Sequence, residues 1–178
     1  MDIDLRRELA DILDSYGYDV VVLRCNRRVK CTCWSPSYRE PSTDCDICLG
    51  TGYIYTARRC RTRSSPILVS PASVPMSMAG MIYQQTSGPA ARRFEMEVFY
   101  FPHDVNLGIN DYILRVRWSG GAPVDVADVY LVIRYDRVRG RNGRVEYVYA
   151  MCTLRPEELE RFRRALGRIK EALRAAHA

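Results

Sequence analysis

The sequence predicts a mainly β fold: a small antiparallel β barrel or sandwich with a helix at each end and a cysteine-rich insertion near the N-terminus. Three observations support this prediction. Runs of alternating apolar and polar residues recur between Phe94 and Cys152, as half-buried strands require. Both ends of the chain carry apolar residues at helical spacing. Four of the seven cysteines fall between Cys31 and Cys48, where neither periodicity continues.

The two terminal helices are predicted from their apolar stripes. The first runs from Asp2 to Tyr16, with Asp2 or Asp4 as the N-cap and Gly17 at its end. The second runs from about Pro156 to Ala175 and begins with a proline followed by two glutamates. Its apolar positions step by three and four residues, as in a coiled-coil seam; they are Leu159, Phe162, Leu166, Ile169 and Leu173.

The strands are predicted from β-branched and alternating runs. The first is Asp19 to Cys25, and Ile54 to Arg63 is the second. Further strands are "FEMEVFYFP", "DYILRVRW", "DVYLVIRYDRV" and "RVEYVYAMC". The last two flank Asn142-Gly143, a strong hairpin turn signal. In this hairpin Val129, Leu131, Ile133 and Tyr135 are expected to share one face and to pair with Val145, Tyr147, Tyr149 and Met151.

These elements divide the chain into four parts. Residues 1–30 form the N-terminal helix and first strand, and residues 31–53 form the cysteine-rich insertion. Residues 54–152 form the β-barrel domain, which includes a Ser-, Pro- and Met-rich loop or arm over residues 64–93. Residues 153–178 form the C-terminal helix.

The cysteine window "CTCWSPSYREPSTDCDICLGTGY" predicts a structural zinc knuckle. Cys31 and Cys33 form one close pair and Cys45 and Cys48 the other, which supplies four thiolates for a tetrahedral site. A redox pair fits less well, because Cys-x-x-Cys oxidoreductases begin a helix with the motif and glycines follow here. Disulfide bonds between these cysteines are a third interpretation. Cys25 and Cys60 flank the window, so either could replace one of the four ligands or the two could form a disulfide. Cys152 is predicted to be a buried thiol.

Charge is distributed unevenly along the chain. The formal net charge is +6, yet residues 1–20 carry six acidic and two basic residues. Arginine dominates the basic residues of the remainder, which suits ion pairs, phosphate contacts and protein interfaces. The sequence has no apolar run long enough to cross a membrane and no secretory signal pattern, so we expect synthesis in a reducing cytoplasm and no membrane partner.

No catalytic constellation is evident, so we expect no enzymatic activity. The two histidines are His103, beside Asp104, and the near-terminal His177. A single His-Asp neighbour on a loop is usually structural. The turn "RGRNGR" places Arg139, Arg141 and Arg144 at a hairpin tip, where they are candidate contacts to DNA, to a channel lumen or to another subunit.

The order of these motifs resembles the head–tail connector, or neck, proteins of tailed bacteriophages, in particular those with a cysteine-rich zinc-type insertion. The cysteine window and "DVYLVIRYDRVRGRNGRVEYVYA" carry the resemblance most specifically, and "FPHDVNLGINDYI" supports it. It extends over roughly residues 1–152; the basic C-terminal helix has no match in it. The "CDICLGTGY" half also resembles the cysteine repeat of DnaJ-type co-chaperones, which supports the knuckle alone.

The resemblance implies a structural virion protein of the neck, either a stopper or an adaptor. Such a protein forms a homo-oligomeric ring between the portal or adaptor above and the tail proteins below, and it lines or closes the channel for packaged DNA. The cofactor expected is structural zinc. An alternative function is a zinc-ribbon regulatory protein that binds nucleic acid, which explains the cysteines and the charge but assigns no role to the large β domain.

Overall fold

The computed structural model describes residues 4–66, 96–140 and 142–176. Helix α1 (Leu5–Tyr16) precedes strands β1 (Tyr18–Lys30) and β2 (Tyr53–Pro66). Four more strands follow: β3 (Met96–Pro102), β4 (Tyr112–Ser119), β5 (Ala122–Arg139) and β6 (Val145–Leu154). A 3₁₀ turn (Pro156–Glu158) then leads into helices α2 (Leu159–Arg164) and α3 (Leu166–Ala175).

The six strands close into a barrel in the order β1-β2-β3-β6-β5-β4, and every neighbouring pair is antiparallel. The predicted mainly β class is therefore confirmed, and the sheet is a barrel rather than a sandwich. β1 pairs with both β2 and β4, so the first strand belongs to the barrel and not to a separate N-terminal part. Within the described strands, closure pairs both edges of each strand in the body of the barrel.

The apolar residues form two layers, one inside the barrel and one outside it. Alternation along each strand sends one set inward, where Phe99, Phe101 and Val132 are fully buried. The other set packs under the C-terminal helices, where Phe162 is fully buried and its ring lies 4.9 Å from that of Tyr112. The barrel is thus filled by side chains, and its outer wall at β1, β2, β4 and β5 is covered by α2 and α3.

The C-terminal seam packs against the chain's own barrel. Phe162, Ile169 and Leu173 are buried there, and Leu159 and Leu166 are partly buried against the same layer. The single predicted helix is divided at Ala165, whose ψ of 2° leaves the α-helical range. The coiled-coil spacing therefore reflects a narrow intramolecular contact, and the seam is not free to pair with another chain.

The pairing predicted for the β5–β6 hairpin is wrong. A register shift between Val132 and Arg134 places Arg134 opposite Met151 and Tyr135 opposite Ala150. A β-bulge inserts one unpaired residue into β5, so the residues that follow it point to the opposite face of the sheet from the face predicted by simple alternation. Gly143 has a φ of +69° at the turn, in agreement with the predicted hairpin.

Helix α1 lies across the barrel wall formed by β2, β3 and β6. Asp4 caps it by accepting the backbone N–H of Arg6, and the N–H of Gly17 donates to the carbonyl of Leu13 at the other end. Leu13 is its one buried residue. Most of the apolar stripe that predicts this helix is consequently left on the surface.

The loop or arm predicted over residues 64–93 is partly strand, because residues 64–66 pair with β3. Residues 67–93 lie outside the described part of the chain. Among the described residues, no helix has the length and apolar character needed to span a membrane.

Two ribbons extend beyond one mouth of the barrel. β4 begins at Tyr112, which pairs with Leu23 and Leu131, whereas β1 and β2 continue together up to Lys30 and Tyr53. β5 and β6 likewise continue past the start of β4 to Arg139 and Val145, but β3 stays paired with β6 as far as Tyr147, so this second ribbon is free on both sides only at its tip. The first ribbon ends in the cysteine insertion and the second in the arginine-containing hairpin.

Candidate metal centre

The four predicted ligands come together in the insertion that joins β1 to β2. The Sγ atoms of Cys31, Cys33, Cys45 and Cys48 all lie within 4.8 Å of one another. The Sγ atoms of Cys31 and Cys45 are 3.7 Å apart, and those of Cys33 and Cys48 are 3.4 Å apart. Four thiols in one cluster can hold a metal ion, and a fully thiolate set leaves no open position for a substrate.

Each half of the insertion contributes a tight turn that aims its sulfurs inward. The N–H of Trp34 donates to the carbonyl of Cys31 at 3.0 Å, and the N–H of Thr51 donates to the carbonyl of Cys48 at 3.0 Å. The N–H of Cys31 donates to the carbonyl of Gly52 at 2.8 Å. This last hydrogen bond joins the two halves at the base of the cluster.

Two glycines allow the second turn to form. Gly50 and Gly52 have φ of +73° and +80°, a region that side chains disfavour. A β-carbon on Gly52 would lie 2.7 Å from the ring of Trp34, and one on Gly50 would lie 2.9 Å from the carbonyl oxygen of Thr43. The glycines that follow Cys48 are therefore required for both conformation and space.

The insertion is anchored to the rest of the protein by Leu49. This side chain is 4% exposed and packs in the outer apolar layer with α2 and α3. A guanidinium N–H of Arg161 in α2 donates to the Leu49 carbonyl at 3.0 Å. The C-terminal helices thus hold the metal-ligand segment against the barrel.

The Cys33 and Cys45 thiols differ in pKa because burial and hydrogen bonds act differently on each. Burial raises the pKa of the Cys45 thiol, but the backbone N–H groups of Cys48 and Ile47 outweigh burial and bring it down to about 7. Burial and the Cys48 thiol raise the pKa of Cys33 to about 12. A bound cation would favour the thiolate forms, so ion binding releases protons.

The three remaining cysteines stand apart from the cluster. Cys60 is buried inside the barrel opposite Val20, and burial raises the pKa of its thiol to about 11. Cys25 lies opposite Tyr55, five residues further along β1, or about 16 Å at strand spacing. All seven cysteines are free thiols. The structure therefore contains neither a Cys25–Cys60 disulfide nor a substitute ligand from these two residues, and Cys152 is buried as expected.

The hairpin arginines have structural contacts. Arg144 pairs with Asp4 at 3.2 Å and with Glu146 at 2.9 Å, which ties the hairpin to α1. A guanidinium N–H of Arg139 donates to the Gly143 carbonyl at 2.8 Å, across its own turn. Arg141 lies outside the described residues. The described part of the tip therefore offers less free positive charge than the sequence indicates.

Asp104, the neighbour of His103 in the sequence, has an ion-pair partner on β2. The Asp104 carboxylate pairs with Arg58 at 2.6 Å, and this contact lowers its pKa.

A second feature was not predicted from the sequence: a basic cleft of about 730 Å³ at the barrel mouth. Arg24, Arg27 and Arg28 of β1 line it, together with Ile109 and Tyr135. The sequence signal was the basic run "RCNRRVK", which continues the strand beyond the predicted end at Cys25.

Comparison with models of protein families finds no match to this chain. A search among curated proteins likewise finds no significant relative.

Proposed function

We propose that this chain is a structural protein of a bacteriophage neck, which forms a ring between the portal and the tail and lines or closes the DNA channel. The supporting observation is the closed barrel with two ribbons that project from one mouth. A closed barrel is a rigid body, and projecting ribbons present loops at a fixed distance from it. The proposal places the protein in the virion, with no enzymatic activity of its own.

The cysteine cluster supports a scaffold role. A site made of four thiolates is structural rather than catalytic, and it stiffens the end of the β1–β2 ribbon. Leu49 and Arg161 join this stiffened end to the C-terminal helices. The ribbon is therefore suited to bear a contact with a neighbouring protein.

We propose zinc as the ion. Thiolates arranged tetrahedrally at a metal–sulfur distance of about 2.3 Å have sulfur–sulfur separations of about 3.8 Å. Two of the six separations between cysteine sulfurs, 3.7 Å and 3.4 Å, are close to this value, and all six lie within 4.8 Å. Purified protein is expected to carry about one zinc ion per chain by native mass spectrometry and elemental analysis. A coloured iron centre, or a metal-free protein with disulfides, would contradict the assignment.

The neck proposal is tested by locating the chain in virions. Particles from a phage that encodes this chain, with a small epitope tag at its C-terminus, are expected to bind tag antibody at the head–tail junction. A deletion is expected to give filled or leaking heads without tails, and the wild-type chain supplied from a plasmid should restore tailed particles. Tagged chain absent from purified particles would contradict the proposal.

A second candidate function is binding to nucleic acid as a zinc-containing regulator. The observation that favours it is the cleft lined by Arg24, Arg27 and Arg28. It predicts tight, salt-sensitive binding of short duplex DNA by the monomer. The neck proposal predicts no such binding by an isolated monomer.

A further inference from the structure

The basic cleft has arginines without carboxylate partners. None of the ion pairs within residues 4–66, 96–140 and 142–176 involves Arg24, Arg27 or Arg28. All three side chains are exposed. The carboxylate in the lining, Asp111, is buried and accepts the backbone N–H groups of Cys25 and Gly108 at 3.0 Å and 2.6 Å. The cleft therefore presents a surplus of positive charge to solvent.

Helix α1 presents the opposite charge. Glu8, Asp11 and Asp14 are exposed, and the same described ion pairs include none of them. Three carboxylates without ion-pair partners on one helix thus match three guanidinium groups that also form no described ion pair, although Arg27 donates to the Ile109 carbonyl at 3.4 Å. Complementary charges of this kind select a partner and set its orientation.

Apolar residues accompany the charges on both surfaces. Beside the arginines, Ile109 is 54% exposed on the loop that floors the cleft. Beside the carboxylates, a groove of about 330 Å³ runs between α1 and the barrel, and Leu5, Leu9 and Ile12 line it. An exposed apolar side chain on one surface and an apolar groove on the other are the components of an interface core surrounded by a polar rim.

The two surfaces are centred on different walls of the barrel, although β2 contributes Thr56 to the cleft and Arg63 to the groove. The groove along α1 is completed by Arg63 of β2, Tyr100 of β3 and Tyr147 of β6. The cleft opens above the start of β4, which stands opposite β3 in the order of the closed sheet. One chain cannot join its own two surfaces, whereas successive copies can join them head to tail. Such heterologous contacts generate rings when the rotation closes.

We infer that α1 of one copy docks in the basic cleft of the next, with Glu8, Asp11 and Asp14 facing Arg24, Arg27 and Arg28 and with Ile109 in the groove beside α1. The partner is a second copy of this chain. The inference deepens the proposed neck function and rests on it, because it assigns the surfaces through which the ring forms.

Charge exchange tests this contact. One variant reverses the charge of the helix (Glu8→Lys, Asp11→Lys and Asp14→Lys). A second reverses the charge of the cleft (Arg24→Glu, Arg27→Glu and Arg28→Glu), and a third combines all six substitutions. A matched control reverses three exposed arginines elsewhere (Arg39→Glu, Arg164→Glu and Arg174→Glu). Circular dichroism and the melting temperature establish that each variant is folded.

Sedimentation at high protein concentration and low ionic strength measures self-association. Wild type is expected to associate, and either single-surface reversal to weaken association at least about tenfold. In the variant with all six substitutions, the affinity of self-association should recover to within about threefold of wild type. The control variant should associate as wild type does. A fifth variant, Ile109→Ser, removes the apolar side chain without adding a charge to the cleft, and it is expected to weaken association as well.

Three results would overturn the inference: a wild-type chain that stays monomeric, reversals that leave association unchanged, or a variant with all six substitutions that fails to recover. If cleft reversal abolishes DNA binding and leaves association intact, the cleft belongs to nucleic acid and the helix contact is wrong. If tagged chain is found at the virion neck but the reversals have no effect on association, the ring uses other surfaces and the proposed function stands.

Discussion

Truncation of Leu49 to alanine tests whether the C-terminal helices hold the metal-ligand segment in place. Leu49 is 4% exposed and packs with the layer beneath α2 and α3. Buried Leu→Ala changes cost about 3–5 kcal/mol, because the transfer free energy is lost and a cavity remains. We expect the lower end, about 3 kcal/mol, because the segment is at the surface end of the ribbon and can relax. At about 3 °C per kcal/mol for a chain of this size, the melting temperature should fall by about 9 °C.

The assay is thermal unfolding of metal-loaded protein followed by circular dichroism, with metal content measured before heating. Ile47→Ala is the matched control, because Ile47 lies two residues away and is 44% exposed. It should cost about 1 kcal/mol or less. Neither change removes a sulfur, so both variants should retain the metal content of wild type. Equal effects for the two variants, or an unchanged melting temperature for Leu49→Ala, would refute the anchoring role of Leu49.

The remaining predictions concern the metal centre. Cys45→Ser combined with Cys48→Ser should abolish metal binding in mass spectrometry while the β signal in circular dichroism remains; full metal content would contradict the ligand set. Gly52→Ala should lower the melting temperature more than Gly121→Ala, because both have positive φ but only the first meets a neighbour, the Trp34 ring, within 4 Å; equal losses would contradict the steric argument. Lowering the pH from about 7 to about 5 should release the metal, since protons compete for the thiolates; retention at the lower pH would contradict thiolate ligation.

The strands and the cysteine cluster were predictable because both depend on local patterns. Alternation at Met96–Pro102 and Val145–Leu154 follows directly from one-sided burial. The spacing of two close cysteine pairs likewise requires only a short loop to bring four sulfurs together. The Gly120-Gly121 turn between β4 and β5, with φ of +55° and +77°, is a local signal of the same kind. It marks the start of β5 at Ala122, which precedes the predicted start at Asp128.

Features set by tertiary packing were not predictable. The bulge after Val132 reverses the pairing of the β5–β6 hairpin, and no local residue pattern marks it. The seam with Phe162 at its centre has coiled-coil spacing whether it faces another helix or a barrel wall. The cleft at Arg24 arises because β4 begins opposite Leu23, whereas β1 continues beyond that point. This offset depends on strands that are far apart in the sequence.

The most direct test of the central proposal is electron microscopy of virions at a resolution that distinguishes a six-stranded barrel. We predict a ring of copies of this chain in the neck, with barrels between the portal and the tail and a cysteine cluster at one end of each barrel. A neck whose density is fully explained by other chains, with this protein absent from the particle, would contradict it.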